Sequence, residues 1–123
     1  MTSEVLDIGK LKDEIHRFSS ERDWNQYHTP KNLASALSVE SSELLEIFQC
    51  CSEKDCKELV KEKNPEVMEK IEEEIADILT YSIRLAGVLG INIPNAIENK
   101  LKKNEEKYPA DLVRGSARKY TDY

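Results

Sequence analysis

The run Ile75-Ala-Asp-Ile-Leu-Thr-Tyr-Ser-Ile-Arg-Leu-Ala-Gly-Val-Leu-Gly-Ile91 decides the fold class. It is apolar on nearly every side of a helical wheel, and its only charged residues are Asp77 and Arg84. A helix of that kind is expected to be buried. It has no period-2 alternation, so it is not half of a sheet. An acid inside such an element is costly unless it is paired or bound to a metal. The run extends upstream to Asn64-Pro65-Glu66, a helix-start pattern of cap, first-turn proline and first-turn acid, and Gly90 is its C-terminal left-handed residue. This predicts a long helix over 65–89.

The other prolines mark three more helices. Thr29-Pro30 opens one over about 31–51, with Thr29 as N-cap. Asn92-Ile93-Pro94 opens one over about 94–107, which Pro109 closes. A first helix spans about 5–20, and a short helical piece falls between Asp55 and Lys63. The expected fold is therefore all-α, with four principal helices. Residues 110–123 read as a tail after a domain spanning 1–109.

The second helix carries the same anomaly as the third. Leu33, Leu37, Leu44, Ile47 and Phe48 form one apolar stripe. At about 100° per residue Glu40 falls near its middle, with Glu43 at its edge. Glu74 precedes Asp77 by three residues, and Tyr81 continues the Asp77 face. Two helices thus each carry an acidic pair at i, i+3, which places both members on one side. If the helices pack together, four carboxylates converge, and a hard divalent cation relieves the repulsion. Oxygen-only ligands favour Mg²⁺, with Mn²⁺ as a substitute. Helix bundles build metal sites in this way. In a chain with 34% charged residues, such pairs also arise as plain solvated faces. That is how Glu46, Glu69, Glu72 and Glu73 read, and it is the alternative for Glu43 or Glu74 taken singly.

The chain has 123 residues, a one-domain length with room for only a modest core alone, so association is expected. With 24 acidic and 18 basic residues its net charge is −6, which argues against nonspecific nucleic-acid binding. An anionic substrate would need a metal to bridge like charges. No stretch approaches the roughly 18 consecutive apolar residues of a membrane span, and Met1 to Lys10 shows no signal peptide. The three cysteines, Cys50, Cys51 and Cys56, fit a reducing, cytoplasmic setting. A zinc site would need a fourth ligand, and His16 and His28 lie well upstream. The cysteines read instead as free thiols near a helix end, and they lack CxxC spacing for redox work.

Glu40-Ser-Ser-Glu43 and Glu74-Ile-Ala-Asp77 resemble the E-x-x-E and E-x-x-D motifs of the MazG-like all-α nucleoside triphosphate pyrophosphohydrolases. Within that superfamily the chain most resembles the dCTP pyrophosphatase branch. Glu21-Arg-Asp-Trp-Asn-Gln-Tyr-His28 with Pro30-Lys-Asn-Leu33 resembles the segment ahead of the first motif. Lys107-Tyr-Pro-Ala-Asp-Leu-Val-Arg114 with Ser116-Ala-Arg-Lys-Tyr-Thr121 resembles the C-terminal end. Two positions depart from the pattern. Val39 stands where many members have a further Glu, and Cys50 stands where the branch commonly has Trp after Phe48-Gln49, which bears on cytosine preference.

The resemblance implies Mg²⁺ held by Glu40, Glu43, Glu74 and Asp77. It implies cleavage between the α and β phosphates to a monophosphate and pyrophosphate, and a homo-oligomer, often a tetramer, with a dimer as the lesser form. It also matches Lys100 and Asn104 to a K-x-x-x-N pattern that contacts substrate. Phosphoryl transfer asks mainly for charge neutralisation and positioning. Glu43, with Glu40, is the candidate to orient or deprotonate the attacking water. Trp24, the sole tryptophan, is the candidate wall for the base. Tyr27 and His28 are weaker candidates there, Tyr81 and Asn104 would bond sugar or phosphate, and His16 reads as structural or exposed. The alternative reading is a non-catalytic helical module whose acids hold structural metal or a basic protein patch.

Overall fold

The computed structural model describes residues 4–117. Six α-helices follow in order: α1 Ile8–Glu21, α2 Pro30–Phe48, α3 Glu53–Glu62, α4 Pro65–Leu89, α5 Ile93–Lys107 and α6 Ala110–Val113. A 3₁₀ turn, Asn25–Tyr27, lies between α1 and α2. No strand occurs among the described residues. The four principal helices expected from the sequence are α1, α2, α4 and α5. The helical piece before Lys63 is a ten-residue helix, α3, and α6 adds one turn within the segment read as a tail.

Local chemistry sets the helix starts. Unpaired N–H groups at a helix start need acceptors. Asp7 accepts from Lys10 N–H at 3.0 Å, Thr29 from Asn32 N–H at 3.3 Å, and Asn92 from Asn95 N–H at 3.0 Å. Asn64 accepts from both Glu66 and Val67. Ser52 and Asp55 form a reciprocal capping box, each bond 3.1 Å. That box starts α3 and explains why α2 stops at Phe48 rather than at Cys51. Gly90 adopts φ 69°, the left-handed conformation that stops α4.

The described chain divides into two compact units between Gly90 and Ile91. In the first, α2 packs along α4 and α1 lies against α4. Leu33 on α2 is 1% exposed, and Ile83 and Ala86 on α4 are also buried. These three are the only buried apolar residues among the described residues. In the second unit, α5 leaves Ile97 and Leu101 exposed.

One expectation is corrected. The later part of α4 is not buried on nearly all sides. Ile75 and Leu79 are 45% and 49% exposed, and Asp77 is exposed as well. An apolar helix is buried all round only where neighbours cover every side. Ile75 and Leu79, one turn apart, lie on the side of α4 opposite Asp77, and both stay open to solvent in the single chain.

Candidate metal and substrate site

The centre of the α2 stripe meets α4 at an acid. Carboxylate oxygens of Glu40, Glu74 and Asp77 lie within 4.8 Å of one another. Glu40 and Glu74 are half-buried. Each leaves its Oε2 atom buried with no hydrogen-bond partner. Both groups are pure acceptors once ionised, so neither can satisfy the other without a proton. Glu40 is accordingly pushed up from 4.5 to about 7. A proton shared with Glu74 contributes most, followed by burial, by Glu43 and by the charge of Asp77. Glu43, exposed, thus stands at the edge of the cluster, near enough to act on Glu40. Two orphaned buried oxygens in an all-oxygen donor set fit a hard divalent cation, which would reverse the sign of the shift on Glu40.

A cavity of about 470 Å³ reaches the cluster at Asp77. Asp77, Tyr81 and Arg84 line it from α4, at i, i+4 and i+7 on one face of that helix. Trp24, Phe18 and His28 line it from the chain preceding α2. The Trp24 ring meets Phe18 edge-to-face, centroids 5.8 Å apart at 70°. Trp24 remains 45% exposed. The cavity therefore gathers one of the clustered acids and three of the expected substrate residues: Trp24, Tyr81 and His28. Tyr27 is exposed and is not among the lining residues.

Arg84 is the residue that sequence reasoning missed. It is 8% exposed. Its Nε donates to His28 Nδ1 at 2.9 Å, its Nη2 to Asn25 Oδ1 at 2.9 Å, and its Nη1 lies 2.9 Å from His16 Nδ1. A guanidinium only donates, so both Nδ1 atoms must be bare, and each neutral ring carries its proton on Nε2. His16 Nε2 then faces Ser20 Oγ at 3.4 Å. Buried Ser19 sets its hydroxyl 3.3 Å from His28 Nδ1. Burial, and then the Arg84 charge, lower the pKa of His28. The signal was present in the sequence as a lone cation on an apolar helix, two turns from Asp77. His16, expected to be structural or exposed, is exposed and also anchors Arg84.

Lys100 and Asn104 lie one turn apart on α5 and line a shallow groove with Ile97 and Leu101. Cys50 and Cys51 are exposed beyond α2, and Cys56 on α3 is half-buried. Burial, foremost, and the neighbouring Cys51 raise the Cys56 thiol. Of the C-terminal run, Arg118 to Thr121 lie outside the described residues.

A profile of the MazG-like family matches residues 35–123. The chain is 40% identical over 116 residues to dCTP pyrophosphatase 1 of Rattus norvegicus, and 39% identical over the same length to that of Homo sapiens. Each alignment covers 94% of this chain and 65% of the relative, so the chain spans about 65% of the length of those proteins. The crystal structure of a pyrophosphatase from Archaeoglobus fulgidus is similar at TM-score 0.72 and 40% identity. That match covers 89% of this chain and 98% of the other.

Proposed function

We propose that this chain, which belongs to the MazG-like family, hydrolyses nucleoside triphosphates, dCTP foremost, to a monophosphate and pyrophosphate with Mg²⁺. One observation carries the reading. Glu40 and Glu74 each bury an unpartnered oxygen, carboxylate oxygens of both lie within 4.8 Å of one of Asp77, and Asp77 lines an aromatic-walled cavity of about 470 Å³. An acidic protein keeps such a cluster only at a cost that a cation removes. The relatives' names supply the reaction class, and their cytosine nucleotide makes dCTP the first substrate to try.

Glu40, Glu74 and Asp77 would hold the ion, with Glu43 completing the set from the edge. When bound, Mg²⁺ supplies charge neutralisation to the phosphate oxygens. Glu43, exposed and near enough to act on Glu40, is the carboxylate suited to orient and deprotonate the attacking water, with Glu40 the other candidate. Trp24 offers its exposed face to the base. Tyr81 lies between acid and arginine on the same face of α4, at the level of the sugar. His28 contributes by holding the wall of the cavity in place. Lys100 and Asn104 would contact the phosphate tail.

The catalytic domain on this reading spans 1–109, with 110–123 as its tail. It works as a homo-oligomer, a tetramer before a dimer. Supporting that assembly are the apolar side chains the single chain leaves open, Ile75 and Leu79 on α4 and Val39 and Leu45 on α2. No helix of the described residues is long and apolar enough to cross a membrane. The free cysteines favour the cytoplasm.

The test is pyrophosphate release from a panel of dNTPs and NTPs with Mg²⁺, repeated on Glu40→Gln and Asp77→Asn. The expected result is release by the wild type, fastest with dCTP, and none by either variant while both keep their helical content. A wild type that releases no pyrophosphate from any triphosphate leaves the non-catalytic metal-binding or protein-interaction module.

A further inference from the structure

Arg84 has a donor capacity that the fold does not use. A guanidinium carries five N–H groups. Its bonds to His28, His16 and Asn25 take one each from Nε, Nη1 and Nη2. One N–H on each terminal nitrogen is left, on a buried side chain that lines the cavity. No carboxylate lies within ion-pair distance of it among the described residues. A buried cation surrounded by two neutral rings and an amide still has N–H groups to spare and no acceptor of opposite charge. Its rigid anchoring on three sides is what a recognition group needs, because a fixed fork loses little entropy on binding.

The spacing says which acceptor comes. Asp77 and Arg84 are seven residues apart on one face of α4, so about 10 Å separates them along the helix axis at 1.5 Å per residue. Tyr81 stands between them, and Trp24 and Phe18 form the facing wall. A nucleotide whose phosphates lie at the acids spans that distance with its sugar and places its base at the guanidinium.

We propose that Arg84, fixed by His16, His28 and Asn25 at the far end of the cavity, reads the nucleobase by donating to an exocyclic carbonyl oxygen. The juxtaposition of acids, aromatic wall and guanidinium along one cavity makes it a selector for carbonyl-bearing bases (cytosine, uracil, thymine, guanine) over adenine, whose exocyclic group is an amine donor. The inference rests on the pyrophosphohydrolase reading of the same site. His16, His28 and Asn25 are positioning residues, acting through Arg84.

The experiment measures kcat/KM with Mg²⁺ for dCTP, dATP and the abasic 2-deoxyribose 5-triphosphate, on the wild type, Arg84→Met and Arg84→Lys. The wild type is expected to prefer dCTP to dATP by tenfold or more. In Arg84→Met, dCTP falls tenfold or more, mainly through KM, and dATP and the abasic substrate stay within threefold of the wild type. Arg84→Lys keeps the charge but loses the fork; it shows the same pattern and serves if the Met variant does not fold. An equal fall on dCTP and the abasic substrate overturns the proposal, because the role is then structural. A wild type as fast on dATP as on dCTP overturns it too. A wild type inactive on all three removes the pyrophosphohydrolase reading itself, and the base-reading role with it.

Discussion

Arg84 Nε and His28 Nδ1, 56 positions apart in the chain, meet at 2.9 Å. Because the guanidinium has no lone pair to offer, the ring must accept, and a protonated His28 would turn an N–H toward a cation. The pair therefore ties the wall of the cavity to α4 only while His28 is neutral.

The pH consequence has a definite sign. Burial and Arg84 hold the folded pKa of His28 below its ordinary 6.5. A depressed pKa contributes stability that is present above the unfolded value and is lost as pH falls through the folded one. The melting temperature is expected to drop as pH falls below 6.5. His28→Asn, whose amide oxygen accepts from Arg84 without titrating, should flatten that drop. Proton NMR of the His28 ring checks the cause directly: a midpoint at or above 6.5 contradicts it.

Glu40 works in the opposite direction when no divalent ion is bound. Its folded pKa is raised from 4.5 to about 7. A raised pKa contributes stability that is full below the unfolded value and is lost as pH rises through the folded one. In EDTA the protein should lose stability between about pH 4.5 and 7, and Glu40→Gln should not share that loss. Adding Mg²⁺ should abolish the slope, since the cation takes the place of the shared proton and its binding releases that proton. Thermal denaturation across this range, with and without Mg²⁺, reads all three effects.

Glu74 and Glu43 separate holding the ion from activating water. Glu74 buries an unpartnered oxygen, so Glu74→Gln should lose the Mg²⁺-induced rise in melting temperature along with activity. Saturation at 100 times Kd is worth about 2.7 kcal/mol to the wild type. Glu43→Gln should keep most of that rise and still lose about 100-fold in kcat, the lower range of a general-base contribution. A Glu43→Gln variant with normal kcat would move the water-activating role to Glu40.

Trp24 is the chain's single tryptophan, so its fluorescence reports on the cavity alone. Nucleotide binding should quench it. Trp24→Ala should raise KM by roughly 5- to 150-fold, the equivalent of about 1–3 kcal/mol of base stacking. An unchanged KM would place the base elsewhere.

Leu33 on α2 is 1% exposed and is the most buried apolar residue among the described residues. Leu33→Ala should cost about 2–5 kcal/mol by removing buried methyl groups and leaving a cavity. Chemical denaturation, with the activity of the surviving folded fraction measured in parallel, tests this and separates folding from catalysis.

What the sequence alone determined is local in origin. Proline positions and the capping side chains Thr29 and Asn64 mark helix starts, because unpaired backbone N–H groups within four residues must find acceptors. Gly90 ends α4 because its left-handed φ of 69° suits a residue without a side chain. The misfit of Glu40 and Asp77 with their apolar neighbours was equally legible, since helical periodicity alone puts them on those faces. What only the tertiary structure decided depends on pairs far apart in sequence. Periodicity could set Arg84 on the Asp77 face but could not reveal that His16, Asn25 and His28 would converge on it, because that needs the packing of α1 against α4. It also overstated the burial of α4: a wheel shows which sides are apolar, while the number of sides covered depends on how many helices arrive, and here Ile75 and Leu79 remain open.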